Sequence, residues 1–158
     1  MFKNSLLIEM DYIIKELTGE DLRKNKDSLF ESLSRVRSVG EINSADACSI
    51  LERINSQDAH IFVAMKGEGN SSEIIGTTTV LIEQKFIRGG AKVAHIEDVS
   101  TKKEFEGHGV AKAVMTEAME YAKERGCYKV ILDCSTETVG FYEKIGFKRN
   151  ENHMRLDL

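Results

Sequence analysis

Seven consecutive residues, Glu106-Gly107-His108-Gly109-Val110-Ala111-Lys112, hold the densest chemical signal in this chain. Two glycines ahead of an apolar-periodic stretch let the backbone curl until successive N–H groups share one concavity. A helix starting there adds unpaired donors and the positive end of its dipole. Such a nest suits a phosphate or pyrophosphate. A dinucleotide-binding fingerprint needs a small residue where Lys112 stands, and a Walker loop needs a different glycine spacing before Lys-Ser/Thr, so neither fits. The plain alternative is a mobile loop ahead of an ordinary helix, because short glycine patterns recur by chance.

Three further side chains have proton chemistry. The phenol of Tyr142, with an ordinary pKa of about 10, stays protonated at neutral pH and can donate a proton. Its alternative is packing beside Phe141 and Phe147. Glu97 alternates with His95 on one strand face, while Ile96 and Asp98 are expected to turn the other way. It can accept a proton, or stand as a solvated or ion-paired carboxylate. Asp133 ends an apolar strand and is expected to be buried. An unpartnered buried carboxylate costs several kcal/mol, so a ligand or a polar network should meet it. No Ser-His or Cys-His arrangement suggests an acyl-enzyme. The four histidines carry no metal-ligand spacing, so no metal site is expected. Met115 and Met119 read as core filler.

The surroundings of these residues narrow the class. The chain has 158 residues, a formal net charge of -4 and 30% charged residues with both signs interspersed. That excludes a basic nucleic-acid module and an acidic disordered tail, and it requires any anion to be held by local geometry. There are 12 glycines and no proline, so Pro-rich linkers and cis-proline turns are absent. One domain spanning residues 1–158 is expected. No stretch approaches the roughly 20 apolar residues of a membrane span. Lys3, Glu9 and Asp11 interrupt the N-terminal apolar residues, against a secretory leader. The three cysteines show no CxxC, and Cys127 and Cys134 are expected on opposite faces of one strand, which points to a reduced, cytoplasmic protein.

The elements that must position the chemistry follow from pattern. Tyr12 to Leu17 is β-prone. Thr18 with Asp21 forms a capping box for a helix carrying Leu22, Leu29, Phe30, Leu33 and Val36 and ending near Gly40. Ser44 is expected to cap a second helix with Ala47, Ile50, Leu51 and Ile54 inward. His60–Met65 and Glu73–Gln84 read as a hairpin, followed past Gly89 and Gly90 by a strand from Val93 to Ser100. Val110, Val114, Ala118 and Ala122 mark the clearest helix, stopped by Gly126. Tyr128 to Cys134 reads as a buried strand, Thr136 to Lys144 as a short helix and Phe147 onward as a last strand. The class is a single mixed α/β domain.

The order of strand, glycine turn, long helix, strand, short helix with Phe141-Tyr142-Glu143-Lys144, and Gly146-Phe147 resembles the GCN5-related N-acetyltransferase (GNAT) superfamily. Within it, His95-Ile96-Glu97-Asp98-Val99 and the strand Gly126-Cys127-Tyr128-Lys129 through Asp133-Cys134 resemble the branch that acetylates an amino-sugar phosphate. The likeness is strong from Lys85 to Met154 and looser at Ile13 to Leu22 and at Val39-Gly40. It implies an α/β (α+β) fold with a mixed, mostly antiparallel twisted sheet flanked by helices. It also implies direct transfer of acetyl from acetyl-CoA to the 2-amino group of glucosamine 6-phosphate, feeding UDP-N-acetylglucosamine synthesis, in a homodimer.

By the same resemblance, Val99, Ser100 and Thr101 would lie along the pantetheine. A main-chain N–H beside Val99 would polarise the thioester carbonyl. Gly107, His108, Gly109, Val110, Ala111 and Lys112 would cradle the pyrophosphate, with Thr138 and Tyr142 also on the cofactor. Glu97, Asp98, Tyr128, Lys129 and Asp133 would surround the amino sugar, with Glu97 and Asp133 orienting its amine and Tyr142 acting as general acid. Lys85, Phe86, Ile87 and Arg88 would reach the substrate across the dimer. A sugar phosphate needs two or three converging donors, drawn from Lys85, Arg88, Lys129, Arg37 and Arg155, though each is equally a surface charge.

Departures from the pattern stand at Glu106, where Gln or Arg is usual, at Thr138 in place of Asn, at Arg37 and Ser38 in place of a Thr pair, and at Asp157 in place of Arg. A carboxylate beside a pyrophosphate opposes binding. Two other readings therefore remain open: an acetyltransferase for another small amine or a peptide amine, and a non-catalytic CoA-binding module.

Overall fold

In the computed structural model, which describes residues 11–158, an edge-to-edge sheet runs in the order β1-β2-β3-β4-β5. The strands are β1 (Tyr12–Glu16), β2 (Ala59–Lys66), β3 (Glu73–Gln84), β4 (Lys92–Thr101) and β5 (Cys127–Leu132). The first three pairings are antiparallel, and β4 pairs with β5 in parallel. Lys3 and Glu9, whose charges argue against a leader, lie outside the described residues. Among the described residues no helix is long and apolar enough to cross a membrane.

Helices cover both faces. On one side lie α1 (Gly19–Leu33) and α2 (Ser44–Ser56), whose Leu22, Leu29, Ala47 and Leu51 pack on Val63, Met65 and Ile74 of the sheet. On the other lies α4 (Val110–Glu124), the crossover between β4 and β5. Its Met115, Ala118 and Ala122 bury against Phe62, Val80, Ala94 and Ile96, and its Val110 and Val114 against Ala64 and Ile75. Neighbours in β2 alternate between the two cores, as a pleated strand requires. Two short pieces complete the fold: α3 (Ile87–Gly90), a single turn, and α5 (Val139–Lys144).

Local rules set most boundaries. Asp21 N–H donates to Thr18 Oγ1 (3.1 Å) and Thr18 N–H to Asp21 Oδ2 (3.0 Å), the expected capping box. The helix stops at Leu33, not near Gly40, because Val36 lies 42% exposed and contributes no burial to extend it. Asn43 caps α2 through its Oδ1 on Asp46 N–H (2.9 Å), displacing Ser44 from that role. β5 ends at Leu132, so Cys134 and Asp133 lie beyond the ladder; all three cysteines are free.

The expected last strand from Phe147 does not form. Residues 147–158 make no ladder, their run Lys148-Arg149-Asn150-Glu151-Asn152 offers no apolar face, and Glu151 sits at φ +59°, off the extended region. β5 is left as an open sheet edge, with Met154, Leu156 and Leu158 exposed.

Two features of β4 decide where its polar side chains point. Opposite Thr77 stands Ser100 and opposite Thr79 stands Glu97, so Asp98 and Val99 together face Thr78. This is a β-bulge, with Asp98 at φ +51°. Further along, the β4–β5 ladder ends at Ile96↔Leu132, so residues 97–101 stay on β3 but leave β5. Lys102, just past β4, then locks that branch to α1 and β3: its amine reaches Glu31 (2.8 Å), Glu73 (3.0 Å) and Glu104 (3.4 Å).

Candidate active site

A cavity of about 840 Å³ opens where β4 and β5 part. His95 and Glu97 line it from β4, Lys129 to Leu132 from β5, Asp133 and Cys134 from just beyond, Met119 from α4 and Tyr142 from α5. The segment Gly146–His153 closes the remaining side. Of the side chains predicted to act on a substrate, the structure therefore brings Glu97, Lys129, Asp133 and Tyr142 to one space.

Glu97 owes its place to the bulge. Simple alternation would bury Asp98 beside Ile96; with an extra residue inserted, Glu97 and Asp98 both become exposed, next to each other. Partial burial, then the carboxylates of Asp98 and Asp133, push the Glu97 carboxyl above its ordinary value, with His95 and His153 opposing. A carboxyl raised in this way is a better proton acceptor near neutral pH. Asp133 departs from expectation. It is exposed past the end of β5, and its Oδ2 lies 3.0 Å from Nδ1 of His153. The desolvation argument for it fails, because the apolar run that suggested burial ends one residue earlier.

Tyr142 is half-buried, edge-on to Phe141 (5.0 Å) and Phe147 (6.0 Å between ring centroids). Burial, then the nearby Cys134, raises its phenol above the ordinary 10.0. Packing and acid chemistry are thus compatible for this residue: the ring is fixed by its neighbours while lining the cavity.

The glycine turn takes the expected shape. Gly107 and Gly109 hold φ of +79° and +82°, the left-handed angles that rotate successive N–H groups into one concavity. Gly109 is the N-cap of α4 and gives it no side-chain cap, and the first turn carries no acidic residue. The helix N–H groups there are open to an anion. Val110 contributes only backbone, its side chain being buried in the core; Ala111 follows it and Lys112 is exposed. His108 is exposed, its Nδ1 2.9 Å from the Glu106 carbonyl. The helix start can come this close to the sheet because β3 carries glycine at position 76, where a Cβ would stand 2.5 Å from Val110 Cγ1. Glu106 does not face the turn unpaired: Arg35, from the end of α1, holds its Oε1 at 3.0 Å.

The other predicted residues are placed less centrally. Val99 packs against the core near Tyr142, and Ser100 is buried with its hydroxyl 2.8 Å from Ser32, so only its main chain is available. Thr101 Oγ1 is buried without a hydrogen-bond partner. Thr138 precedes α5 and bonds the Ser135 carbonyl (3.1 Å). Arg88 stacks on Tyr128 at 4.8 Å, joining the 85–88 loop to β5; neither residue lines the cavity, whereas Lys129, whose amine sits 5.7 Å from the same ring, does. Lys85 is bonded by Glu83, while Phe86 and Ile87 project into solvent. Arg37 is exposed on the segment after α1, and Arg155 pairs with Asp157 (2.6 Å) away from the cavity.

Sequence reasoning missed His153, Lys148 and Arg149 on the cavity wall. The basic pair beside Gly146-Phe147 was a readable signal; His153 had none, since its partner Asp133 is distant along the chain. Among the described residues, no three His, Cys, Asp or Glu side chains are placed to hold a metal ion.

The profile of the Acetyltransferase (GNAT) family matches residues 26–147. A Trypanosoma brucei brucei protein named glucosamine 6-phosphate N-acetyltransferase is 38% identical over 129 residues, covering 79% of this chain and 88% of that one. The Arabidopsis thaliana protein of the same name is 37% identical over 142 residues, 89% of this chain and 93% of its own. The crystal structure of glucosamine-6-phosphate N-acetyltransferase from Arabidopsis thaliana superposes with a TM-score of 0.83 at 36% identity, covering 93% of this chain and 98% of that one.

Proposed function

Because the chain belongs to the GNAT acetyltransferase family, we propose that it transfers the acetyl group of acetyl-CoA to the 2-amino group of D-glucosamine 6-phosphate. The products are CoA and N-acetylglucosamine 6-phosphate, a precursor of UDP-N-acetylglucosamine. The observation that carries this reading is the convergence of Glu97, Asp133, Lys129 and Tyr142 on one cavity at the parting of β4 and β5.

In this mechanism the Gly107–Gly109 nest and the first N–H groups of α4 hold the pyrophosphate. The thioester arm lies in the opening along Val99, Ser100 and Thr101, where main-chain groups no longer pair with β5. One of those N–H groups polarises the thioester carbonyl. Glu97 accepts the proton of the acceptor's ammonium, and Asp133 fixes the amine for attack on the carbonyl carbon. As the carbon–sulfur bond breaks, Tyr142 gives its proton to sulfur, and the second proton shed by the acylated nitrogen returns to the phenol. Arg88, Tyr128 and Lys129 offer the sugar phosphate cationic and stacking contacts, and Lys85 stands at the base of the same loop.

The reading includes a homodimer. Phe86 at 104% and Ile87 at 62% exposure, the exposed Met154, Leu156 and Leu158, and the open sheet edge at β5 are surfaces that a second copy would cover.

A thiol-release assay with acetyl-CoA and a panel of amines tests the assignment. Turnover should be fastest with glucosamine 6-phosphate. Faster turnover with unphosphorylated glucosamine or a peptide amine would replace the substrate, and CoA binding without turnover of any amine would reject the enzyme.

The ion pair between Arg35 and Glu106 answers the main argument for a non-catalytic module. Both side chains are about half exposed, where such a pair adds little stability. Its effect is electrostatic: it cancels a carboxylate beside the nest. Arg35→Ala should weaken CoA binding about fivefold by calorimetry at low salt, the scale of one screened charge at the protein surface. Glu106→Gln in that background should restore it. Equal CoA affinity in all three proteins would remove Arg35 from the account.

A further inference from the structure

Glu83, near the end of β3, holds two partners at once. Its Oε2 lies 2.8 Å from Nε2 of His95, and its other oxygen accepts from the ammonium of Lys85. Lys85 starts the exposed loop that runs to Gly90, whereas His95 lines the cavity on the same stretch of β4 as Glu97. The line Lys85–Glu83–His95 therefore runs from the loop proposed to meet the sugar phosphate to the wall beside the proposed proton acceptor. Stability does not call for it. Glu83 is 40% exposed, and its backbone pairing opposite Val93 does not depend on the side chain.

We propose that Glu83 is a positioning residue that orients His95 to relay the proton leaving Glu97, and that it shares Lys85 with the acceptor's phosphate. The inference rests on the acetyl-transfer reading of the site. With Nε2–H donating to Glu83, neutral His95 presents Nδ1 as an acceptor. The proton lost by the acceptor's ammonium goes first to the Glu97 carboxylate, then through water to Nδ1, and leaves for solvent from Nε2 past the exposed Glu83. Only N–H and O–H bonds change, and one proton is released per acetyl transferred.

Lys85 makes the relay sensitive to the acceptor. A phosphate that draws the Lys85 ammonium to itself leaves the Glu83 charge undivided on His95, which favours imidazolium and speeds the relay. A neutral acceptor leaves Lys85 on Glu83. Selection for the phosphorylated sugar then appears in kcat as well as in KM. Among the other charged groups facing this region, Asp98 and Asp133 oppose ionisation of Glu97 and His153 favours it, while Lys129 from β5, Glu143 from α5, and Lys148, Arg149 and Glu151 from the closing segment line the same cavity. The hydrogen bonds from Lys85 first and then His95 hold the Glu83 carboxyl below its ordinary pKa, which agrees with a carboxylate kept ionised by both.

The test is the kcat–pH profile of the full chain with Glu83→Gln, His95→Asn and the double variant, on glucosamine 6-phosphate and on glucosamine. Glu83→Gln should lower kcat about 10-fold without raising KM for the sugar phosphate, the scale of losing a group that orients a functional histidine. Both single variants should displace the acid limb, because each alters the group that passes on the Glu97 proton and the charge beside that carboxylate. The double variant should be no slower than the slower single one, and the kcat preference for the phosphorylated sugar should shrink. Glu83→Asp, which keeps the charge, should recover part of kcat and guards against a folding defect. Unchanged kcat and acid limb, or losses that multiply in the double variant, would overturn the proposal. If the wild-type protein acetylates a different amine and not glucosamine 6-phosphate, the substrate reading fails, while the same cycle on that amine still decides the relay.

Discussion

Tyr142→Phe is expected to lower kcat about 100-fold with little change in either KM, at the lower end of what a positioned general acid contributes. Phe retains the ring that packs edge-on to Phe141 and Phe147, so the variant should fold normally and bind both substrates. What it lacks is the proton for the departing sulfur. Burial raises the phenol above its ordinary 10.0, so in the wild-type protein this acid keeps its proton throughout neutral and mildly alkaline pH. The activity of the wild type should accordingly show no basic limb from this group below about pH 10. A faster leaving group offers a second check: an acetyl thioester of a more acidic thiol should narrow the gap between Tyr142→Phe and wild type. A variant as active as wild type would reassign Tyr142 to packing.

Glu97→Gln is the second large effect, a fall in kcat of about 100-fold for loss of the proton acceptor. The sign of the pH dependence is set by its surroundings. Glu97 accepts a proton only when ionised, so activity is lost as pH falls through its carboxyl pKa. Partial burial, then Asp98 and Asp133, place that pKa above the ordinary 4.5, so the acid limb should start at higher pH than an unperturbed carboxylate would give. In Glu97→Gln the residual rate should lose that limb. The same raised pKa means that ionised Glu97 opposes folding at neutral pH, when the group is charged in the folded and unfolded chains alike. Removing the charge should therefore leave the melting temperature unchanged or higher, while activity collapses. A lowered melting temperature with an intact acid limb would show that Glu97 is structural. The site thus holds a carboxylate that the fold would do better without, which is a common cost of function.

How much of the fold and the site is legible in the sequence depends on the distance over which each interaction acts. The capping box of Thr18 and Asp21 spans one helical turn, and the chain alone determines it. The same holds for the repeat of Val110, Val114, Ala118 and Ala122, which requires a helix with one buried face. The left-handed turn at Gly107 and Gly109 is also local, because only glycine enters that region without strain. Helix ends were less legible. α1 stops at Leu33 because its next apolar residue has nothing to pack against, a property of the sheet beneath it and not of the helix.

Side-chain partnerships between distant residues lay beyond the sequence. Asp133 looked buried because its strand is apolar, yet the strand ends at Leu132 and the carboxylate emerges beside His153. Asp98 looked as though it turned away from Glu97, until a bulge against Thr78 set both on the exposed side. Glu106 looked hostile to an anion, and Arg35 neutralises it from the turn that follows α1. The chain by itself determined most of the elements and the left-handed glycine turn, because these depend on backbone angles and spacing within a few residues. Sheet register, the bulge and the parting of β4 from β5 decided which charges meet, since a carboxylate's acidity is set by neighbours within a few ångströms of space, whatever their separation along the chain.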